Sequence, residues 1–268
     1  MILKRKIYKK LLEWKKECQG KKALLIEGAR RIGKSTICEE FGKSEYKSFL
    51  LIDFAKKDKE VEGYFEKYLN DLDTFFMLLQ THFGTKLTER NSLIIFDEVQ
   101  MFPQARAAIK YLVADGRYDY IETGSLISIR ENVKNIVIPS EERNINMYPL
   151  DFEEFAIALE EDLLVEYIKK CFEKREPLER SMHNQAMLLF HQYMLVGGMP
   201  MPVVAFIESK KDFTEADKEK RDILKLYRED IMKIDMRYRS KVLAIYDQIP
   251  GFLSQNEKRV VFKRIAPS

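Results

Sequence analysis

The sequence is poor in cysteine and histidine, and has no long apolar run or strong excess of either charge. The three cysteines, Cys18, Cys38 and Cys171, form no C-x-x-C pair, which excludes a disulfide framework and a zinc ribbon. Three histidines, His82, His183 and His191, never approach H-E-x-x-H spacing, so no metal centre is expected from His or Cys. No apolar stretch reaches the ~18 residues that a membrane span needs, and the N-terminus lacks the continuous apolar core of a signal peptide. No membrane partner is expected, and the cytoplasm is the default compartment. Lys and Arg number 46 against 43 Asp and Glu, so the chain lacks the basic balance of a dedicated nucleic-acid binder. Any polyanion site must be local. With 46% hydrophobic and 12% aromatic residues, the disordered and low-complexity classes are excluded as well.

The 268 residues exceed the ~100–200 of one typical domain and predict a full domain with an appendage, or two domains. Residues 1–22 are rich in lysine, with Leu3, Ile7, Leu11, Trp14 and Cys18 at helical spacing, which predicts a basic amphipathic helix packed on the domain C-terminal to it. From 23 to 150 short apolar runs alternate with helical patterns. Strands are expected at 23–27, 48–54, 93–97, 119–123 and 135–139, with a helix over 59–82 and another opening at Pro103. That alternation predicts an α/β fold, a parallel sheet covered on both faces by helices. From 151 to 268 the pattern is almost wholly helical, interrupted by a turn at 194–203. Thr214 with Asp217 reads as a capping box opening a long helix to about Arg239, and Pro250-Gly251 reads as a helix end.

Gly28-Ala29-Arg30-Arg31-Ile32-Gly33-Lys34-Ser35 fits G-x-x-x-x-G-K-[ST] between a strand and a helix, the context in which that pattern makes a phosphate-binding loop. The expected chemistry is a backbone curled by Gly28 and Gly33 so that amides through Thr36 face a polyphosphate, helped by a helix N-terminus. Lys34 would reach the β and γ phosphates and Ser35 a Mg²⁺ ion. Leu93-Ile94-Ile95-Phe96-Asp97-Glu98 is an apolar strand ending in two acids, placing Asp97 to organise the metal and Glu98 to polarise a water. Thr123-Gly124-Ser125, at the next strand end, offers two hydroxyls to a γ-phosphate. Arg30 and Arg31 face phosphate, a neighbouring subunit or solvent, and Arg143 is a candidate charge sensor. Ile7 and Tyr8 are candidates to line an adenine pocket.

With these motifs in place, the chain resembles the prokaryotic predicted ATPases of the AAA superfamily whose loop reads G-x-R-R-x-G-K-[ST]. The residues that carry the resemblance are GARRIGKST, IIFDEVQ, TGS, PLDFEEF (149–155) and GGMP (197–200), with Asp151 where the family usually has serine. The pair Glu142-Arg143 stands where a Gly-Arg pair is usual. The resemblance implies ATP and Mg²⁺ as ligands, an additional-strand P-loop sheet of order 5-1-4-3-2, and a helical lid and winged-helix-like region from about residue 150. It also implies a further C-terminal domain resembling restriction endonucleases, beyond the last residue of this chain. A Mg²⁺-dependent ATPase is the leading expectation, catalysed by Glu98 and Lys34 with Thr123 and Ser125. The alternatives are a nucleotide-gated switch or scaffold with little turnover, and a DNA-associated ATPase; a homo-oligomer, DNA and a protein partner all stay open.

Overall fold

The computed structural model describes residues 1–125 and 141–255. The chain divides into two compact units, the first Met1–Val203 and the second from Val204 onward.

The first unit opens with α1 (Ile7–Cys18), β1 (Ala23–Glu27), α2 (Lys34–Glu45) and β2 (Ser48–Asp53). Two helices come next, α3 (Lys59–Tyr68) and α4 (Leu72–Phe83), where the sequence suggested one. The break has a local cause: Asp71 accepts from the Thr74 amide and caps a new helix. Then come β3 (Ser92–Asp97), α5 (Pro103–Asp115), β4 (Asp119–Gly124) and β5 (Glu142–Asn146). The strands form one parallel sheet in the order β2-β3-β4-β1-β5, the order the resemblance implies.

Side-chain alternation along the strands builds two cores. Leu24 and Ile26 of β1, Leu93 and Ile95 of β3 and Ile121 of β4 pack on one face with Leu11, Trp14, Ile37 and Phe41 from α1 and α2. Ala23, Leu25, Ile94, Phe96 and Tyr120 pack on the other with Phe65, Phe75, Phe76 and Ile109 from α3, α4 and α5. A parallel sheet needs both covers, because its strands have no face for water. The basic helix thus packs on the sheet, as its apolar stripe requires.

The strand expected at 135–139 lies outside the described residues, and the edge strand is β5 at 142–146. Its sequence, ERNIN, carries no apolar signal because an edge strand is half solvated. Beyond β5 the described elements are all helical: α6 (Phe152–Ala158), α7 (Asp162–Lys174), α8 (Arg180–Val196) and α9 (Pro200–Glu208), which runs across the division between the units. The second unit contains α10 (Phe213–Ile231) and α11 (Met236–Leu253). Asp212 caps α10 by accepting from the Thr214 amide, so the expected box at Thr214–Asp217 lies inside the helix, which ends at Ile231 rather than near Arg239. Pro250 sits within the last turn of α11 instead of ending it. No described helix is long and apolar enough to cross a membrane.

Candidate functional site

β1, β3 and β4 are neighbours at the centre of the sheet, and their C-terminal ends carry Gly28–Gly33, Asp97-Glu98 and Thr123–Ser125. In open α/β sheets this is the edge where ligands bind. Sheet order therefore converges three motifs that lie far apart in sequence.

The loop after β1 is held in shape at several residues. Gly33, at φ +89, opens α2 in a left-handed conformation that suits glycine. Arg31 shares the left-handed region at φ +67. Gly28 is glycine for another reason than the one expected: its φ is not positive, but a Cβ there would lie 2.4 Å from the Met147 carbonyl oxygen and 2.6 Å from Ile32 Cδ1. Close approach excludes a side chain. Ile32 is fully buried, whereas Ala29, Arg30, Arg31 and Thr36 are exposed and Ser35 is half-buried.

Lys34 is 5% exposed, and its Nζ donates to the carbonyls of Gly28 (3.1 Å) and Ala29 (2.9 Å). Burial pulls its pKa below the usual lysine value, while the carboxylates of Glu98 and Asp97 favour the charged form. The cation is thus curled over its own loop. Ser35 Oγ lies 2.8 Å from each oxygen of Asp97, and Thr123 Oγ1 donates to Asp97 Oδ1. Two hydroxyls from two elements therefore fix one carboxylate at the end of β3. The donor set, a hydroxyl beside a single carboxylate, is hard oxygen and suits Mg²⁺ completed by phosphate and water. Among the described residues there is no cluster of three or more His, Cys, Asp or Glu that could hold a metal.

Glu98 leaves β3 at φ +53, and its amide donates to Thr123 Oγ1 at 3.3 Å. Its Oε2 accepts from Gln100 Nε2, which also lies 3.4 Å from Ser125 Oγ. Sequence reasoning missed Gln100. It stands in the IIFDEVQ run, and an amide two residues after a candidate base was the available signal.

Other expected residues lie elsewhere. Arg143 is on β5 in register with Leu24, near the start of β1, and its Nη1 donates to Glu17 at 2.6 Å. The opposite end of the sheet from the loop is no place for a γ-phosphate sensor. Ile7 is buried in the core, and Tyr8 packs edge-on against Phe41 at 5.5 Å with its hydroxyl 3.1 Å from Glu45 Oε1. Tyr8 thus fastens α1 to α2, and Ile7 belongs to the core on that face of the sheet.

The two later motifs, by contrast, come to the loop. Asp151 caps α6 in a full capping box, accepting from the Glu154 amide at 2.9 Å while its own amide donates to Glu154 Oε2 at 3.2 Å. The aspartate therefore performs the capping that serine would. The Leu150 amide donates to the Gly198 carbonyl at 2.7 Å, and a Cβ on Gly198 would be 2.1 Å from Leu150 O. Past this contact, Pro200 Cγ lies 3.7 Å from where a Gly33 Cβ would stand. Sequence reasoning also left out Arg5, whose guanidinium reaches the Ile32 carbonyl at 3.0 Å.

A family model described as an AAA domain matches residues 20–156. No curated protein matches the chain. Among solved structures, the chain is similar to the Aeropyrum pernix ORC1 protein in complex with DNA, at 10% identity and TM-score 0.40 over 99% of this chain and 81% of that one. It is similar to C. elegans PCH-2 at 12% identity and TM-score 0.37, over 80% of this chain and 64% of the other. A signal transduction ATPase with numerous domains and a tetratricopeptide repeat sensor, from Pyrococcus horikoshii, matches at 17% identity and TM-score 0.41, over 95% of this chain and 37% of its own.

Proposed function

The chain belongs to the AAA domain family, and from that premise we propose that it is a Mg²⁺-dependent ATPase acting at the C-terminal edge of β1, β3 and β4. The observation that carries the reading is Asp97 clasped by Ser35 and Thr123, with Lys34 in electrostatic reach of both Asp97 and Glu98.

Loop amides and the N-terminus of α2 attract the phosphates. Lys34 exchanges the carbonyls of Gly28 and Ala29 for β- and γ-phosphate oxygens, a short movement for a flexible side chain already at the loop. Ser35 and Asp97 would hold Mg²⁺, which would neutralise charge on the phosphates. Glu98 accepts a proton from a water whose oxygen attacks the γ-phosphorus as the bond to the departing ADP oxygen breaks. Gln100 fixes the Glu98 carboxylate and reads Ser125, so that Thr123 and Ser125 link phosphate contact to the base.

The test is steady-state ATP hydrolysis of the wild type against Glu98→Gln, with Mg²⁺, across a protein concentration series. Wild-type turnover is expected, with a loss of about 10²–10⁴-fold in the variant and ATP binding kept. A specific activity that rises with concentration would add assembly with shared sites, and undiminished hydrolysis by the variant would remove Glu98 from its role.

A second reading, a nucleotide-held switch with little turnover, is favoured by the Gln100–Glu98 contact, which ties up the base. Gln100→Ala separates the two. Slower hydrolysis makes Gln100 an orienting group for an ATPase, whereas faster hydrolysis makes it a brake.

A further inference from the structure

Arg5 precedes α1 and belongs to none of the sequence motifs, yet its guanidinium binds three separate segments. Nη1 donates to the Ile32 carbonyl of the phosphate loop at 3.0 Å, and Nη2 to the Tyr148 carbonyl, between β5 and α6, at 2.6 Å. Nε donates to Glu154 Oε1 in α6 at 3.3 Å. The Arg5 and Glu154 side chains are only 6% and 7% exposed, so this pair is not a solvated surface bridge. Glu154 is itself held, since Oε1 also accepts from the Lys6 amide at 2.6 Å and Oε2 accepts from the Asp151 amide at 3.2 Å.

The loop needs such a hold. Arg31, immediately before Ile32, is left-handed without being glycine, and Gly33, immediately after, is left-handed as well. Backbone in sparsely populated regions persists where its surroundings over-determine it. Ile32 between them is fixed twice, by its buried side chain and by its carbonyl on Arg5. A planar fork with several donors can serve three acceptors that point differently; a lysine ammonium on a flexible stem cannot hold the same geometry.

We infer that Arg5, fixed by Glu154, is a positioning residue that holds the phosphate loop in its binding shape before nucleotide arrives, and so lowers the cost of binding ATP. The inference rests on the ATP-binding reading for its consequence, but the ordering of the loop is measurable without ligand. A preorganised loop leaves less entropy to lose on binding.

Two measurements test it on the full chain, for wild type, Arg5→Ala, Arg5→Lys and Glu154→Gln. The first is amide hydrogen exchange of the nucleotide-free proteins. Exchange in residues 28–36 is expected to quicken in the Arg5 variants and, less strongly, in Glu154→Gln, with β1, β3 and β4 unchanged. The second is titration with a fluorescent ATP analogue and Mg²⁺. Arg5→Ala is expected to raise Kd about tenfold, equivalent to ~1.4 kcal/mol, with KM rising alongside and kcat changing less than threefold. Arg5→Lys should recover little of this. Arg5→Ala with Glu154→Gln should be no weaker than Arg5→Ala alone, because the two act as one unit.

Loop exchange unchanged in the Arg5 variants, exchange quickened evenly across the sheet, or a Kd within twofold of wild type would each overturn the positioning role. Should Arg5→Ala not fold, Arg5→Lys and Glu154→Gln carry both readouts. A wild-type chain that binds no ATP would overturn the ATP reading, leaving loop exchange to decide for or against the clasp.

Discussion

Glu122 lies on β4 in register with Leu25 and Phe96, fully buried among apolar neighbours, at the residue before Thr123. Across β1 is Glu142, clamped by Arg106 through Nε to Oε2 at 3.2 Å and Nη2 to Oε1 at 3.0 Å. Loss of water, reinforced by the Glu142 carboxylate, pushes Glu122 well above the usual carboxyl range against the opposing pull of Arg106. Burial raises Glu142 too, but its fork with Arg106 favours ionisation, so the proton of the pair resides on Glu122. The folded chain then keeps a proton that the unfolded chain releases above pH ~4.3, and stability falls as pH rises, by about 1.4 kcal/mol per unit until the folded pKa is reached. Glu122→Gln cannot show that slope. Denaturant unfolding of both proteins between pH 5 and 8 should therefore show the variant gaining on the wild type as pH rises. A constant difference would mean that Glu122 is ionised in the fold. An acid buried within an apolar strand reads from sequence only as an interruption, because its partners on α5 and β5 are supplied by the fold.

At the scale of elements, the phosphate loop, β3 and β4 were legible because their signals are local: a motif at fixed spacing, and apolar runs ending in polar residues. β5 was not, since its pairing with β1 rather than its composition makes it a strand. Helix boundaries failed where short caps compete with a continuing pattern, as at Asp71 and Asp212. The block at 149–155 was recognised by resemblance alone, and its physical content is the capping box of α6. Asp151→Ala removes the side-chain acceptor for the Glu154 amide. It should cost about 1 kcal/mol and lower the melting temperature by roughly 2–4 °C for a domain of this size. Asp151→Ser, which restores a capping oxygen, should melt within a degree or so of wild type. Equal losses in both would show that the ion pair of Asp151 with Lys6, at 2.6 Å, matters more than the cap. That outcome is not expected, because both partners of the pair are about half exposed.

On the scale of the whole molecule, every side chain placed at the site, from Arg5 through Lys34, Asp97, Glu98 and Gln100 to Glu154, belongs to the first compact unit, as does Pro200 beside Gly33. The sheet that positions them has its two cores within residues 7–147, so the cradle is built from contacts that begin and end before the division at Val203. A chain ending at Ser209, past the last residue of α9, keeps that helix intact and removes α10 and α11. It is expected to unfold in one cooperative transition and to bind the fluorescent ATP analogue with a Kd within about threefold of the full chain, since the loop contacts to Arg5, Met147 and Pro200 all lie in the first unit. Loss of binding with the transition intact would assign the second unit a part in nucleotide recognition. Turnover adds a separate answer. If binding survives while hydrolysis falls, the second unit acts on the catalytic step rather than on the cradle, and the sheet edge alone is a nucleotide-binding site whose base must be set from outside the first unit.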